Sequence, residues 1–475
     1  MAENVQIKSI KGFGGLNTSR DPFSMPETDF VACNNIYVGG GVIHRRPLLG
    51  AATSAGSPSS LTGTSAYGPV RSIFIHTASG MPSVHTIQSP GTGIFAYITR
   101  RPVGSTGSTA VGTISGDGLT WCHPFLFGSN MILPANGTPK KINSSGTLSD
   151  LGGSPPGAQY IGARYNNMAL LGATTAGQLA FSGVGNAELW TNSDTITPGG
   201  VAMKIRWVAD LGAFLVIGTP YGIYAAQFYG RTTVKTYPLS TEIGSLQDGP
   251  PAISNGKAYF WGGPTKLAYL ESAASWQPFY HNGIYSVNAN GVVTRESGDI
   301  DSPLYPSISW GITAPKEDDN PFASIGGFQS PLGQYSYQMH SFFPGGPIMA
   351  IANPFLSYYY SQMQNNGQTI YIFNGSKWSK WSLDRGWQIS AMLGGYSDPT
   401  QGYTRSLGLM GDFPCLAGVG GLGYSAGMNR LFSFYDTDDA LQLGGVTLNS
   451  PGFDGTVGQT LSSQVEAFVI TAPIY

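Results

Sequence analysis

IRWVADLGAFLVIGTPYGIYAAQ, residues 205–227, decides the fold. Ile205, Trp207 and the run Phe214-Leu215-Val216-Ile217 are β-branched or aromatic-rich, the composition of strands. Asp210-Leu211-Gly212 and Gly218-Thr219-Pro220-Tyr221-Gly222 supply turn chemistry on either side of that run. Ile223-Tyr224-Ala225-Ala226 then opens a third strand. Each run is shorter than the ~10 residues of an ordinary helix and is cut by glycine or proline. The stretch is therefore a strand, turn, strand, turn, strand unit.

The chain repeats this unit. Asn130-Met131-Ile132-Leu133, Asn167-Met168-Ala169-Leu170-Leu171-Gly172, Ala213-Phe214-Leu215-Val216-Ile217-Gly218 and Lys257-Ala258-Tyr259-Phe260-Trp261-Gly262 are versions of one element. Each follows a Gly/Asn-type turn and precedes small turn residues and another strand. Their starts step by 37, 46 and 44 residues. A period near ~40–45 with several strands per unit is the mark of a β-propeller blade, whereas a β-sandwich does not repeat at forty-odd. A blade cannot bury both faces of its sheet alone, so neighbours stack around an axis.

Composition agrees. Of 475 residues, 67 are Gly and 32 Pro, which punctuates the chain too often for long helices. Aromatics make up 12%, enough apolar area to exclude disorder. Only 11% are charged, against about 25% in an average soluble domain. Such weak charging fits a surface buried in an assembly, or equally a Ser/Thr/Asn-coated secreted β protein. Net charge is −2 with no long basic run, which argues against tight electrostatic capture of nucleic acid. Cys33, Cys122 and Cys415 are an odd number without a CxxC pair, so buried thiols are expected rather than a disulfide framework or a zinc knuckle. The start, MAENVQIKSIKG, lacks the apolar core of a signal peptide, and no apolar run approaches the ~18 residues of a membrane span.

The first fifty residues differ from the rest. Lys11-Gly12-Phe13-Gly14-Gly15-Leu16-Asn17 is followed by Asp21-Pro22, Met25-Pro26, Asn35, Gly41-Val42-Ile43 and Arg45-Arg46-Pro47. Physically this is an irregular arm ending in a hairpin whose exit carries two arginines. This order of residues resembles the N-terminal signature of tail nozzle proteins from short-tailed bacteriophages, the class of tail tubular protein B and the packaged-DNA stabilisation proteins. An extra Phe13 between the glycines departs from that pattern, and the chain is shorter than the tubular-protein members. Residues 178–190 are similar to a blade ending common in those propellers, with Phe181 where a Trp is usual.

The resemblance implies a virion structural protein without enzymatic activity or cofactor. Made in the host cytoplasm, it would form a homo-hexameric ring below the portal–adaptor complex. Tail fibre, spike or needle proteins would be neighbours, and genomic DNA would pass through the lumen during ejection without sequence recognition. Near-neutral charge suits such a conduit, because a strongly basic lumen would bind the backbone. The expected partner-interface residues are Lys11, Gly12, Gly14, Gly15, Leu16, Asn17, Asp21, Arg45, Arg46 and Pro47. The alternative function is a glycan-binding or sialidase-like propeller recognising a host surface carbohydrate.

Several other motifs resemble chemical signatures. Gly423-Tyr424-Ser425-Ala426-Gly427 matches the nucleophile elbow, but the last histidine, His340, lies upstream and no helix pattern follows. Gly418-Val419-Gly420-Gly421-Leu422-Gly423 matches the dinucleotide fingerprint, yet the strand-like Phe432-Ser433-Phe434-Tyr435 follows, so a turn or loop is expected. Residues 115–121 approximate an Asp-box, a structural brace, and Arg164, Arg206, Arg231 and Arg295 are the arginines a sialidase site would have to gather. Asp299/Asp301 and Asp436/Asp438/Asp439 lack the pattern of a calcium loop, and the six histidines lack zinc spacing, so no metal is expected. Trp378 and Trp381 are expected to pack between sheets rather than to hold sugar.

The expectation is an all-β chain: a β-propeller of six to eight blades with an N-terminal arm and inserted loops. Residues 1–50 form the arm and hairpin, and residues 51–475 the propeller, with a loop insertion near 297–341. Residues 465–471 read as a last strand completing the first blade.

Overall fold

The computed structural model describes residues 13–51, 70–88, 95–102, 109–115, 122–265, 283–300, 337–341, 346–352, 369–382, 387–394, 415–421, 430–435 and 468–471, apart from gaps of one to three residues inside the first and fifth ranges. Within them the chain is a β-propeller of seven blades, each an antiparallel meander. Blade 1 runs Val70–Ala78, Met81–Gln88, Phe95–Pro102 and Thr109–Ser115. Blades 2 and 3 occupy 125–150 and 158–196. Blade 4 is Trp207–Asp210, Leu215–Thr219, Gly222–Phe228 and Val234–Ser240, so the unit at 205–227 is its first three strands. Blades 5 and 6 occupy 243–295 and 337–382.

Blade 7 closes the ring. Its Trp387–Gly394, Cys415–Gly421 and Arg430–Tyr435 come from the far end of the chain, and its outermost strand is Leu48–Ala51, paired with Phe432 to Tyr435. The first strand of blade 1 packs on the first two strands of blade 7. Sharing one sheet between the two ends of the chain removes the open blade edge that a linear array would leave.

The seams between blades are apolar layers. Between blades 1 and 2 lie Phe74, Ile87 and Ile98 against Met131, Leu133 and Ile142. Between 4 and 5 lie Trp207, Phe214, Val216 and Ile223 against Ala258, Phe260, Tyr285 and Val287. The elements that repeat in the sequence are the second strands of blades 2 to 5: Asn130–Leu133, Met168–Ala173, Leu215–Thr219 and Lys257–Pro264. Each has strands on both edges and blades on both faces, so its residues read as continuous apolar runs rather than as an alternating pattern. In Leu215–Thr219 all five residues are buried.

Trp207 shows how a seam is built. Its ring lies over Gly218, its cross-strand partner, where any Cβ would fall inside the indole. The indole N–H crosses the seam and donates to Ser245 Oγ at 2.8 Å. The first strand of blade 5 is split there into Ile243–Ser245 and Ala252–Ser254. Gln247 fills the break: Trp261 N donates to its Oε1 at 2.9 Å, and its Nε2 donates to the carbonyls of Gly249 and Pro250, both at 3.0 Å. A side-chain amide thus stands in for a peptide unit, because a buried backbone N–H requires a partner.

Three expectations are corrected. The last strand, Phe468–Thr471, does not complete the first blade; it pairs with Asp29–Asn34 of the arm, and closure falls to Leu48–Ala51. Of the expected insertion near 297–341, residues 301–336 lie outside the described residues, while its end, Tyr337–Ser341, is the innermost strand of blade 6 and not loop. Gly418 to Gly421 is not a turn but the end of the strand Cys415–Gly421, paired with Trp387 to Ala391. Glycine repetition is part of a strand at this place and not of a loop.

Candidate functional site

The unrepeated arm is the part of the chain with its own design. Gly15–Leu16 runs parallel to Asp29–Asn34, which pairs on its other edge with Phe468–Thr471. A second element, the hairpin Ile36–Gly39 with Val42–Arg45, follows. Both lie against Trp378–Ser382, the outer strand of blade 6.

Local sequence explains the arm's path. Pro22 opens a short 3-10 turn, Pro22–Ser24, and Asp21 caps it by accepting from Phe23 N at 3.1 Å. Gly15 has φ +136° and sits against the Trp378 carbonyl, so neither the backbone angle nor the space admits a side chain. Beside it Asn17 is buried and donates through Nδ2 to Asp29 Oδ2 at 3.1 Å, which fixes the two parallel strands in register. Thr18 N donates to the Asp299 carbonyl at 2.7 Å, tying the arm to the end of blade 5.

The hairpin is held from the propeller side. Trp381 Nε1 donates to the Ile36 carbonyl and Asn374 Nδ2 to the Val38 carbonyl, each at 2.6 Å. Trp378 stacks on Phe373 with centroids 4.6 Å apart and donates to the Glu296 carbonyl at 2.8 Å. Phe30, Cys33, Ile36 and Val38 complete one apolar cluster with Tyr259, Trp261, Tyr371 and Phe373 of blades 5 and 6. Burial pushes the Cys33 thiol up to about 11 and Tyr259 up to about 12, the latter helped by the nearby Glu296. Tyr371 is raised by burial and by Cys33. These groups stay neutral across the physiological range, so the junction acts as a clamp and Cys33 is not a reactive thiol.

The expected interface residues divide. Gly14, Gly15, Leu16 and Asn17 are buried inside the chain. Asp21 is exposed, with Arg20, Phe23 and Ser24 exposed around it, and Phe23 is 69% accessible. Arg45 ends the hairpin, paired with Ile36. Lys11, Gly12, Arg46 and Pro47 lie outside the described residues.

The other sequence candidates do not converge. Arg164 lies over the Phe127 ring at 5.8 Å and donates to Asn167, Arg206 donates to the Leu246 carbonyl at 3.1 Å, and Arg295 lies over Tyr285 at 5.9 Å. Each is engaged locally, in blade 3, at the start of blade 4 and in the outer strand of blade 5. Arg231, Asp301, the acidic group at 436–439, Gly423 to Gly427 and all of the Asp-box beyond Ser115 lie outside the described residues. Among the described residues no three His, Cys, Asp or Glu side chains group as metal ligands. Trp378 and Trp381 are buried at 2% and 1%, as packing residues.

The turn between third and fourth strands carries a signal of its own in the sequence. Asn143 accepts from Ser145 N and Thr147 N, Asn288 from Asn290 N and Val292 N, and Asn374 from Ser376 N and Lys377 N, at 2.8 to 3.1 Å. An apolar residue followed by Asn at that place recurs in blades 2, 5 and 6 and would have located strand ends directly.

No protein-family model matches the chain, and no curated protein matches it. Among solved structures it is similar to the N-terminal domain of Nup159, at 8% identity over 82% of this chain and 95% of that one, with a TM-score of 0.37. The Pan2 WD40 domain of Neurospora crassa is 9% identical over 73% and 88%, with a TM-score of 0.35. The β-propeller domain of the Trilobed protease from Pyrococcus furiosus is 8% identical over 68% and 88%, with a TM-score of 0.36. Seven blades and their closure follow from this chain's own strand pairing among the described residues.

Proposed function

We propose that the chain is a structural subunit of a short-tailed phage tail nozzle. Six copies form a ring below the portal–adaptor complex, which retains the packaged genome and then conducts it. The observation that carries this reading is the N-terminal signature at residues 11–47, whose Gly14-Gly15-Leu16-Asn17 core is used to dock an arm on the outer rim of a seven-bladed propeller. An arm fixed in that way presents Arg20, Asp21, Phe23 and Ser24 as a distinct outward surface. Ring closure between identical subunits is heterologous, so each copy needs two unlike faces, and a propeller carrying a single arm has them. Adaptor above, fibre, spike or needle proteins around and DNA within are the partners on this reading.

Mass in solution and electron-microscopic images of the full chain test it. Closed six-fold rings are expected, and a variant lacking residues 1–47 should neither close rings nor join the head. Rings and head attachment that survive this deletion would remove the arm from the proposal. A strictly monomeric full chain at high concentration, with no affinity for an adaptor ring, would remove the nozzle reading itself.

A further inference from the structure

We propose that the outer rim of blade 4 is a binding site for an acidic sugar residue, an inference independent of the nozzle reading. Register sets Gln227 opposite Lys235 and Ala225 opposite Tyr237. Alternation along each strand puts Tyr229, Gln227, Lys235 and Tyr237 on one face of the sheet. Further in, the same face carries Ala225 and packs on blade 5. At the rim it is open: Tyr229 is 60% and Tyr237 39% accessible.

Two exposed aromatic rings bracket the row on one sheet face, with Gln227 and Lys235 between them. Lys235 Nζ stands over the Tyr229 ring at 5.4 Å, a cation–π contact that positions the ammonium. Among the described residues no carboxylate pairs with Lys235. Tyr229 OH donates to Gln227 Oε1 at 2.8 Å, which commits the amide oxygen and leaves its N–H donors for a ligand. The rim therefore offers a cation, amide donors and the Tyr237 ring in a row.

A pyranose bearing a carboxylate matches this row. Its C–H face lies on the Tyr237 ring, its carboxylate meets Lys235, and its hydroxyls accept from Gln227. Stacking alone would serve any sugar, while the unpaired ammonium selects an acidic one. Tyrosine loses little side-chain freedom when it makes such contacts.

The test is calorimetric titration of the full chain with hexagalacturonate, and with maltohexaose as the neutral control. Hexagalacturonate should bind with a dissociation constant on the order of 1 mM or tighter, and maltohexaose at least about tenfold more weakly. Tyr237→Ala should weaken hexagalacturonate about tenfold, and Lys235→Gln should erase the preference for the acidic sugar while Lys235→Arg keeps it. All these side chains are exposed, so unchanged melting temperatures exclude misfolding as the cause. No heat from hexagalacturonate at about 10 mM, or equal binding by wild type, Tyr237→Ala and Lys235→Gln, overturns the proposal.

Discussion

Trp381 and Ile36 are separated by 345 residues in the chain and joined by a 2.6 Å hydrogen bond from the indole N–H to the carbonyl. Both residues are buried. The bond, with its neighbour from Asn374 to Val38, is what converts a loose N-terminal extension into part of the propeller's rim. Trp381→Phe keeps most of the apolar area but leaves the Ile36 carbonyl buried without this donor. The cost expected for such a group is about 1–3 kcal/mol. It should fall mainly on the arm, so limited proteolysis ought to cut within residues 13–45 faster in the variant than in wild type. Equal cleavage rates would mean that the apolar cluster alone holds the arm.

Gln247 is the second buried polar group with a role no apolar residue can fill. Gln247→Leu preserves volume and removes the acceptor of Trp261 N and the donor to Gly249 and Pro250. The expected loss is about 2–4 kcal/mol, several orphaned backbone groups being left in a dry seam. Chemical denaturation would reveal it as a lower midpoint at unchanged slope. Gln247→Glu should also destabilise, because it keeps the acceptor but lacks the N–H donors.

The contrast between these sites and the repeat explains what could be read from sequence. Second strands such as Leu215–Thr219 are buried on every side, so their apolar runs gave the period and hence the propeller. Blade 7 is assembled from residues near 50 and near 430, and no local pattern links Leu48–Ala51 to Arg430–Tyr435. The same holds for Phe468–Thr471, whose composition is that of any strand and whose partner lies in the arm. Gln247 and the Asn turns are single polar residues that act through geometry, and periodicity is blind to them. The arm's glycines were visible as a motif, but that Gly15 faces the Trp378 carbonyl could come only from three dimensions.

The seam between blades 1 and 2 carries a pH dependence. His85 is fully buried, stacked on Phe74 at 5.0 Å, and its Nδ1–H donates to the Ser83 carbonyl at 3.2 Å. Burial, together with the charges of His76 and Arg100, lowers its pKa from 6.5 to about 4. His340 in blade 6 moves the same way through burial. A histidine whose folded pKa is depressed is protonated first in the unfolded chain, so its stabilising share is complete above pH 6.5 and declines as pH falls toward 4. For His85 that amounts to something on the order of 3 kcal/mol. The melting temperature should therefore drop between pH 7 and pH 4.5, and His85→Phe should drop less over the same interval. A variant with the wild-type slope would place the acid sensitivity elsewhere.

Ring closure yields the last prediction, through two truncations that differ only in one strand. Removing residues 1–45 takes away the arm sheet and hairpin while leaving Leu48–Ala51 paired with Arg430–Tyr435. Removing residues 1–51 takes that strand as well, and the N–H and C=O groups of Arg430–Tyr435 that faced it become an open sheet edge. Both variants lose the cover over Trp378 and Trp381 and the partner of Phe468–Thr471, so those losses cancel in the comparison. What remains is the closing strand, whose bare edge with Leu431, Phe432 and Phe434 is a template for pairing with another chain. The longer truncation should melt at a lower temperature and form larger species on size-exclusion chromatography with light scattering, increasingly so with concentration. Adding a peptide of residues 46–53 should reverse the association, because it can reoccupy the vacant place at the blade's edge. If the two truncations behave alike, the propeller is closed by the packing of blade 1 on the inner strands of blade 7, and the shared sheet is dispensable.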